Sequence, residues 1–209
     1  TIGRAEESLA TWLAQNAPQT VPLCAIPGYQ RKIREEMPAL RPDLGNDLSA
    51  LRREAIRVLL QRAGEDPNLA EPAFEVFFEA RQKVNFYEDA IPALDFLKSK
   101  YPMVALSNGN ADIHKVGLGN YFVAAFNPIS LGVGKPDPKM FHAGAEALGV
   151  LPEEVLHIGD DPHLDVLAAQ RAGMQSVWVN REEKKWTHET HPAPFTVVGL
   201  KELCKAWPV

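Results

Sequence analysis

The fold is most legible in Val155-Leu156-His157-Ile158-Gly159-Asp160-Asp161-Pro162-His163-Leu164-Asp165. Val155 to Ile158 reads as a buried strand, and Gly159 permits a sharp turn that leaves Asp160 and Asp161 at its tip, with Asp165 on the first turn of the next helix. Strand, turn and helix in that order make half of a βαβ unit, and the same rhythm recurs on either side. Downstream, a helix from about Pro162 to Ala172 ends at Gly173, a natural left-handed cap, before strands at Ser176 to Asn180 and near Thr196 to Val198. Upstream lie a helix around Ile91 to Lys100, an apolar strand Met103 to Leu106 and a helix around Pro138 to Leu148, with Asp89 and Asp137 as the expected N-caps. This alternation predicts an α/β fold built on a Rossmann-like parallel sheet.

Before residue 88 the texture is different. Leu9, Trp12 and Leu13, then Ile33, Met37 and Leu40, then Leu48, Leu51, Val58 and Leu59, then Phe74, Phe77, Phe78 and Val84 form apolar stripes at helical spacing. Breakers such as Pro18, Pro22, Pro27-Gly28, Pro42, Gly45, Gly64 and Pro67 separate them, as in a small helical bundle with short connections. The expected organisation is an all-helical domain over residues 1–88 and an α/β domain over residues 89–209.

A chain of 209 residues, 45% hydrophobic, is long enough for one substantial core plus a smaller one. Its formal charge of -5 argues against nucleic acid or an anionic membrane as partner, because both require clustered positive charge. No apolar run approaches the roughly 18–20 residues needed to span a bilayer. Cys24 and Cys204 lie far apart with no metal-ligand spacing, which fits a reduced, cytoplasmic setting. The sequence leaves the oligomeric state open.

Three candidate sites follow a strand or precede a helix, where an open parallel sheet exposes its ligand-binding edge. Asp160, Asp161 and Asp165 gather carboxylates that repel one another unless a cation or proton is present, and hard oxygen ligands with room for water suit magnesium. The alternative is plain helix capping by Asp160 or Asp161, with Asp165 favouring the positive helix end. Ser107-Asn108-Gly109 offers a hydroxyl, an amide and backbone N–H groups to a phosphoryl oxygen, or is an ordinary turn. In Gly134-Lys135-Pro136-Asp137-Pro138 the prolines stiffen the backbone around Lys135, whose charge either neutralises a phosphate or carboxylate or is simply solvated.

Taken in order, strand then Ser107-Asn108, the Gly134-Lys135-Pro136-Asp137-Pro138 loop, and strand then Gly159-Asp160-Asp161 with Asp165, the chain resembles the haloacid dehalogenase superfamily at its second, third and fourth motifs. The resemblance covers about Asp89 to Val198, and the helical first part resembles that family's inserted cap. It implies that Ser107 binds a transferring phosphoryl group with help from the Asn108 backbone, that Lys135 stabilises nucleophile and phosphate, and that Asp160 ligates Mg2+. It further implies that Asp165 acts through water or orients the loop, while Asp161 stands where the family more often has a small polar residue. The implied activity is hydrolysis of a small phosphorylated metabolite through an aspartyl-phosphate, with the cap closing over the site. The runs Ser107-Asn108-Gly109-Asn110 and Gly117-Leu118-Gly119-Asn120-Tyr121-Phe122 are most similar to phosphatases acting on a riboflavin-pathway pyrimidine intermediate.

The family's first motif, an apolar strand ending in Asp-x-Asp, has no counterpart here; Asp43 and Asp47 have no apolar run before them. That strand would be central in the sheet, so the expectation is that it precedes Thr1, with a nucleophilic aspartate at its tip. The competing expectations are a 2-haloacid dehalogenase, which needs no metal, and a phosphometabolite-binding or interaction protein without the nucleophile, or a family member whose sheet is completed by another chain. The acidic cluster argues against a carboxylate substrate. His188 and His191 read as solvent-facing, His157 as a satisfied, partly buried histidine, and Arg31, Lys32, Arg34, Arg52, Arg53 and Arg57 as solvated helix faces.

Overall fold

The computed structural model describes residues 2–188 and 194–207. Its chain divides into two compact units, Thr1–Asn85 with Gly109–Val116, and Phe86–Asn108 with Gly117–Val209.

The first unit is helical: α1 (Ile2–Asn16), α2 (Val21–Cys24), α3 (Tyr29–Leu40), α4 (Leu48–Ala63) and α5 (Ala70–Gln82). α4 starts where the Asp47 carboxylate accepts from the N–H groups of Ser49 and Ala50, and stops at the left-handed Gly64. The apolar stripes meet in one core that includes Leu9, Leu13, Ile33, Met37, Leu59 and Phe74. The Phe74 ring stacks on Phe78 with centroids 5.6 Å apart, and burying a side chain of that size contributes about 2–3 kcal/mol. Leu40 and Leu48 fall outside this core, at 57% and 45% exposure, because each stands at a helix end. Arg52 departs from the solvated face expected of it. It is buried, its guanidinium lies over the Phe77 ring and donates to Glu6 at 2.5 Å, and its Nε has no hydrogen-bond partner among the described residues. Burial lowers its pKa, and the Glu6 charge opposes that shift.

Gly109–Val116 joins this unit through polar contacts. The Asp112 N–H donates to Gln82 Oε1 at 2.9 Å, the Asn110 amide to Ser49 Oγ at 3.2 Å, and Lys115 pairs with Glu79 at 2.7 Å. No apolar periodicity marks such a segment in the sequence, since what orders it is a buried glutamine on a distant helix.

The second unit is α/β. It runs α6 (Ala90–Lys98), β1 (Val104–Leu106), β2 (Ala124–Phe126), α7 (Pro128–Leu131), α8 (Pro138–Leu148), β3 (Leu156–Gly159), α9 (Ala168–Arg171), β4 (Gln175–Val179), β5 (Phe195–Val197) and α10 (Leu200–Ala206). A π-helical turn, Pro162–Leu167, leads into α9. All strand pairing is parallel: β1 with β2 (Val104 opposite Ala124), and β3 with β4 with β5 (Leu156 opposite Gln175, Val177 opposite Phe195). β2, α7 and α10 have no counterpart in the sequence-based expectation. β2 is three residues long and exists through its ladder to β1, a long-range pairing that no local pattern announces. Asp89 stands at the N-cap of α6 but makes no capping bond there; its carboxylate accepts from Arg181 at 2.8 Å and from the Leu200 N–H at the start of α10. Asp137 does cap α8, accepting from the Lys139 N–H.

Among the described residues β1 and β3 are not paired with each other. Every residue of both strands is only half-buried, whereas Val177, Trp178 and Val179 of β4 are buried. Between them lies a cavity of about 910 Å³ whose lining includes both strands, α8 on Phe141, Gly144 and Leu148, and α6 on Leu94 and Leu97. No helix among the described residues is long and apolar enough to cross a membrane.

Candidate active site

At one end of this cavity stand Ser107, Lys135, Asp160 and Asp165. Ser107 and Asn108 follow β1, and the Ser107 N–H donates to Phe126 O at 3.0 Å. The Asn108 amide then clamps Lys135 through its backbone: Nδ2 donates to Lys135 O and Oδ1 accepts from the Lys135 N–H, both at 2.7 Å. Gly134 permits this, because a Cβ there would lie 2.7 Å from Asn108 Oδ1. The Lys135–Pro136 peptide is cis.

The Lys135 ammonium donates to Asp165 Oδ1 at 2.5 Å, and His157 Nε2 lies 3.3 Å from the same oxygen. Asp165 Oδ2 accepts from the N–H groups of Asp160 (3.1 Å) and Asp161 (3.0 Å). Asp165 is 3% exposed. Burial pushes its carboxyl up, but the His157 hydrogen bond, the charge and hydrogen bond of Lys135, and the Asp161 N–H together hold it well below the usual carboxylate range. The Phe141 ring packs edge-on against His157 at 5.1 Å, so this histidine is a partly buried, partnered residue. Gly159 is required by the same cluster, since a Cβ there would sit 2.3 Å from Asp165 Cβ.

The three carboxylates of the acidic cluster therefore do different things. Asp161 caps the π-helical turn, accepting from the His163 and Leu164 N–H groups at 2.8 and 2.7 Å. Asp165 is spent on Lys135, His157 and the turn backbone. Asp160 is exposed and, among the described residues, its carboxylate accepts no hydrogen bond. No three metal-ligating side chains converge among the described residues. The donor set thus fits an ion such as Mg2+, which keeps several waters and takes one or two carboxylates plus substrate oxygens, and does not fit an all-protein cage.

Lys135 joins the sites into one. Through Asn108 it is tied to the end of β1, and through Asp165 to the turn after β3. The carboxyl ends of the two strands bordering the cavity therefore meet at one lysine, the first through its backbone and the second through its ammonium group. Sequence reasoning missed Asn108 as the clamp on Lys135; the paired turn residues were visible, their mutual contact was not. It also missed the Trp178 indole, which donates to Asp160 O at 3.0 Å. His188 packs edge-on to Trp186 at 5.0 Å and is half-buried, so it does not face solvent as expected, and His191 lies outside the described residues.

The family model for haloacid dehalogenase-like hydrolases matches residues 6–173. The chain is 33% identical to the phosphoserine phosphatase of Thermus thermophilus over 73% of its own length and 63% of that protein's. It is 32% identical to the 5-amino-6-(5-phospho-D-ribitylamino)uracil phosphatase YigB of Escherichia coli, over 73% of this chain and 66% of YigB. The matched segment thus spans less than two thirds of each of these curated relatives. A crystal structure of a 2-haloacid dehalogenase from Pseudomonas syringae pv. Tomato superposes with a TM-score of 0.87 at 33% identity, covering 98% of this chain and 89% of that one. A parallel α/β core with these motifs in order, matched by the family model over most of its length, belongs to the haloacid dehalogenase-like hydrolases.

Proposed function

We propose that this chain works as a magnesium-dependent phosphatase on a small phosphorylated metabolite, with its nucleophilic aspartate carried on a strand that fills the cavity between β1 and β3. The observation that carries this reading is the cavity itself. It is bordered by β1 and β3, which are not paired with each other among the described residues, and its lining includes residues of α6 and α8 together with Lys135 and Asp160. Two half-buried parallel edges leave backbone donors and acceptors that a further strand between them would satisfy. A carboxylate at that strand's tip would stand beside the Lys135 ammonium.

In this reading the carboxylate attacks phosphorus as the P–O bond to the substrate alcohol breaks and the alcohol leaves, and water then hydrolyses the aspartyl-phosphate to inorganic phosphate and the free carboxylate. Ser107 and the Asn108 backbone hold phosphoryl oxygens. Lys135, aimed by Asn108 and Asp165, neutralises the nucleophile and the transferring group. Asp165 orients the turn that presents Asp160, with Asp161 stabilising the helix start behind it. Bound magnesium, held by Asp160, would offset the charge shared by phosphate and nucleophile. The helical unit, taken as a cap dividing from the core near residue 88, would exclude water and select the leaving group. The match to YigB supports a ribityl-pyrimidine phosphate as the first substrate to try. The cytoplasmic setting belongs to this reading too, supported by the free thiols of Cys24 and Cys204.

One observation favours a second reading. The likeness in fold and sequence to the Pseudomonas 2-haloacid dehalogenase supports attack of the same aspartate on carbon, without metal. The deciding experiment assays the full-length protein on p-nitrophenyl phosphate and on 2-chloropropionate, each with magnesium and with chelator, beside Asp160→Ala. Phosphate release that needs magnesium and Asp160 supports the phosphatase; chelator-resistant halide release replaces it with the dehalogenase. Neither activity from a folded protein would leave a phosphometabolite binder. The strand is tested separately, by adding an apolar peptide ending in Asp-x-Asp to the chain and following amide protection in β1 and β3, which must rise.

A further inference from the structure

Trp178 is the fourth residue of β4, 2% exposed, and in register with Gly159 across the ladder to β3. Its Nε1–H donates to the backbone carbonyl of Asp160 at 3.0 Å. The other polar backbone group of Asp160, its N–H, donates to Asp165. Both backbone groups of one exposed residue are thus held by buried side chains from other elements, while its carboxylate is left without a hydrogen bond among the described residues. The Trp178 ring is itself backed by Trp186, edge to face at 5.6 Å, and the Trp186 indole donates to His188 O. Any buried indole needs an acceptor. Here the acceptor is the residue best placed to hold a cation, and phenylalanine would keep an aromatic ring in a smaller volume without reaching it.

We propose that Trp178 is a positioning residue for Asp160, fixing the peptide that carries the metal-binding carboxylate so that only the side-chain torsions remain to be ordered on cation binding. This rests on the reading of Asp160 as a magnesium ligand. Losing such an outer partner typically weakens metal binding about 10–100-fold.

The test is calorimetric titration of magnesium into the full-length protein and into Trp178→Phe, Trp186→Phe and Asp160→Ala. Expected are binding by the parent and by Trp186→Phe, loss in Asp160→Ala, and affinity weaker by about tenfold or more in Trp178→Phe. The apparent magnesium constant for turnover should rise alike, with kcat at saturating magnesium retained. Equal affinity in parent and Trp178→Phe, with Asp160→Ala inactive in binding, overturns the positioning role and leaves the metal site standing. No magnesium binding by the parent overturns both. Should Trp178→Phe not fold, site-specific benzothienylalanine at position 178 keeps the shape and removes the N–H, and the same comparison decides.

Discussion

The side-chain amide of Asn108 hydrogen-bonds both backbone groups of Lys135, its donor to the carbonyl and its acceptor to the N–H, each at 2.7 Å. The lysine that reaches Asp165 is therefore aimed by its own peptide group as well as by its ion pair. Asn108→Asp keeps the acceptor but turns the donor into a second oxygen facing Lys135 O. It should cost about 1–3 kcal/mol in urea unfolding and lower kcat more than it raises KM.

Gly159→Ala should be among the most damaging small substitutions in the chain. Its Cβ would fall 2.3 to 2.5 Å from three atoms of Asp165, which four hydrogen-bonding partners hold in place. Overpacking of this kind costs about 1–3 kcal/mol and sometimes more. A thermal melt unchanged from the parent would contradict the geometry.

Asp165 should make stability fall on acidification in a recognisable window. Its folded pKa is depressed, so its contribution is complete above the ordinary carboxylate value of 3.8 and is lost as pH falls from there toward the folded pKa. The difference in unfolding free energy between the parent and Asp165→Asn should accordingly be largest near neutrality and shrink below about pH 4. Urea melts from pH 7 to pH 3 measure it; a constant difference would mean that the carboxylate's charge is not what matters.

In the helical unit, Glu6→Gln and Arg52→Met should act in opposite senses. Removing the Glu6 charge leaves a buried guanidinium uncompensated and should cost about 2 kcal/mol. Replacing Arg52 by methionine keeps contact with the Phe77 ring, removes the unpartnered Nε, and should be neutral or stabilising. Chemical denaturation of both variants and of the pair gives the coupling.

What could be read from the chain and what could not divides by the range of the interaction. α8 was expected from Pro138 to Leu148 and spans those residues, because Asp137, the proline in its first turn and Gly149 write both ends locally. The turn at Gly159 and the left-handed Gly173 were visible for the same reason. β2 was not, since three residues carry no period and their strand exists through β1.

The order of the motif residues along a parallel α/β core, and with it the family, is legible in the chain because caps, glycine turns and apolar periodicity act over a few residues. How those residues are used depends on the tertiary structure. It gave Asp165 to Lys135 and the turn backbone, left Asp160 exposed, set Trp178 on the Asp160 carbonyl, buried Arg52 against Glu6, and left a cavity between β1 and β3. The physical reason is that a carboxylate, an ammonium or an indole N–H has many partners of similar energy in an unfolded chain. Sheet packing selects among them by bringing one within 3 Å and burying the choice.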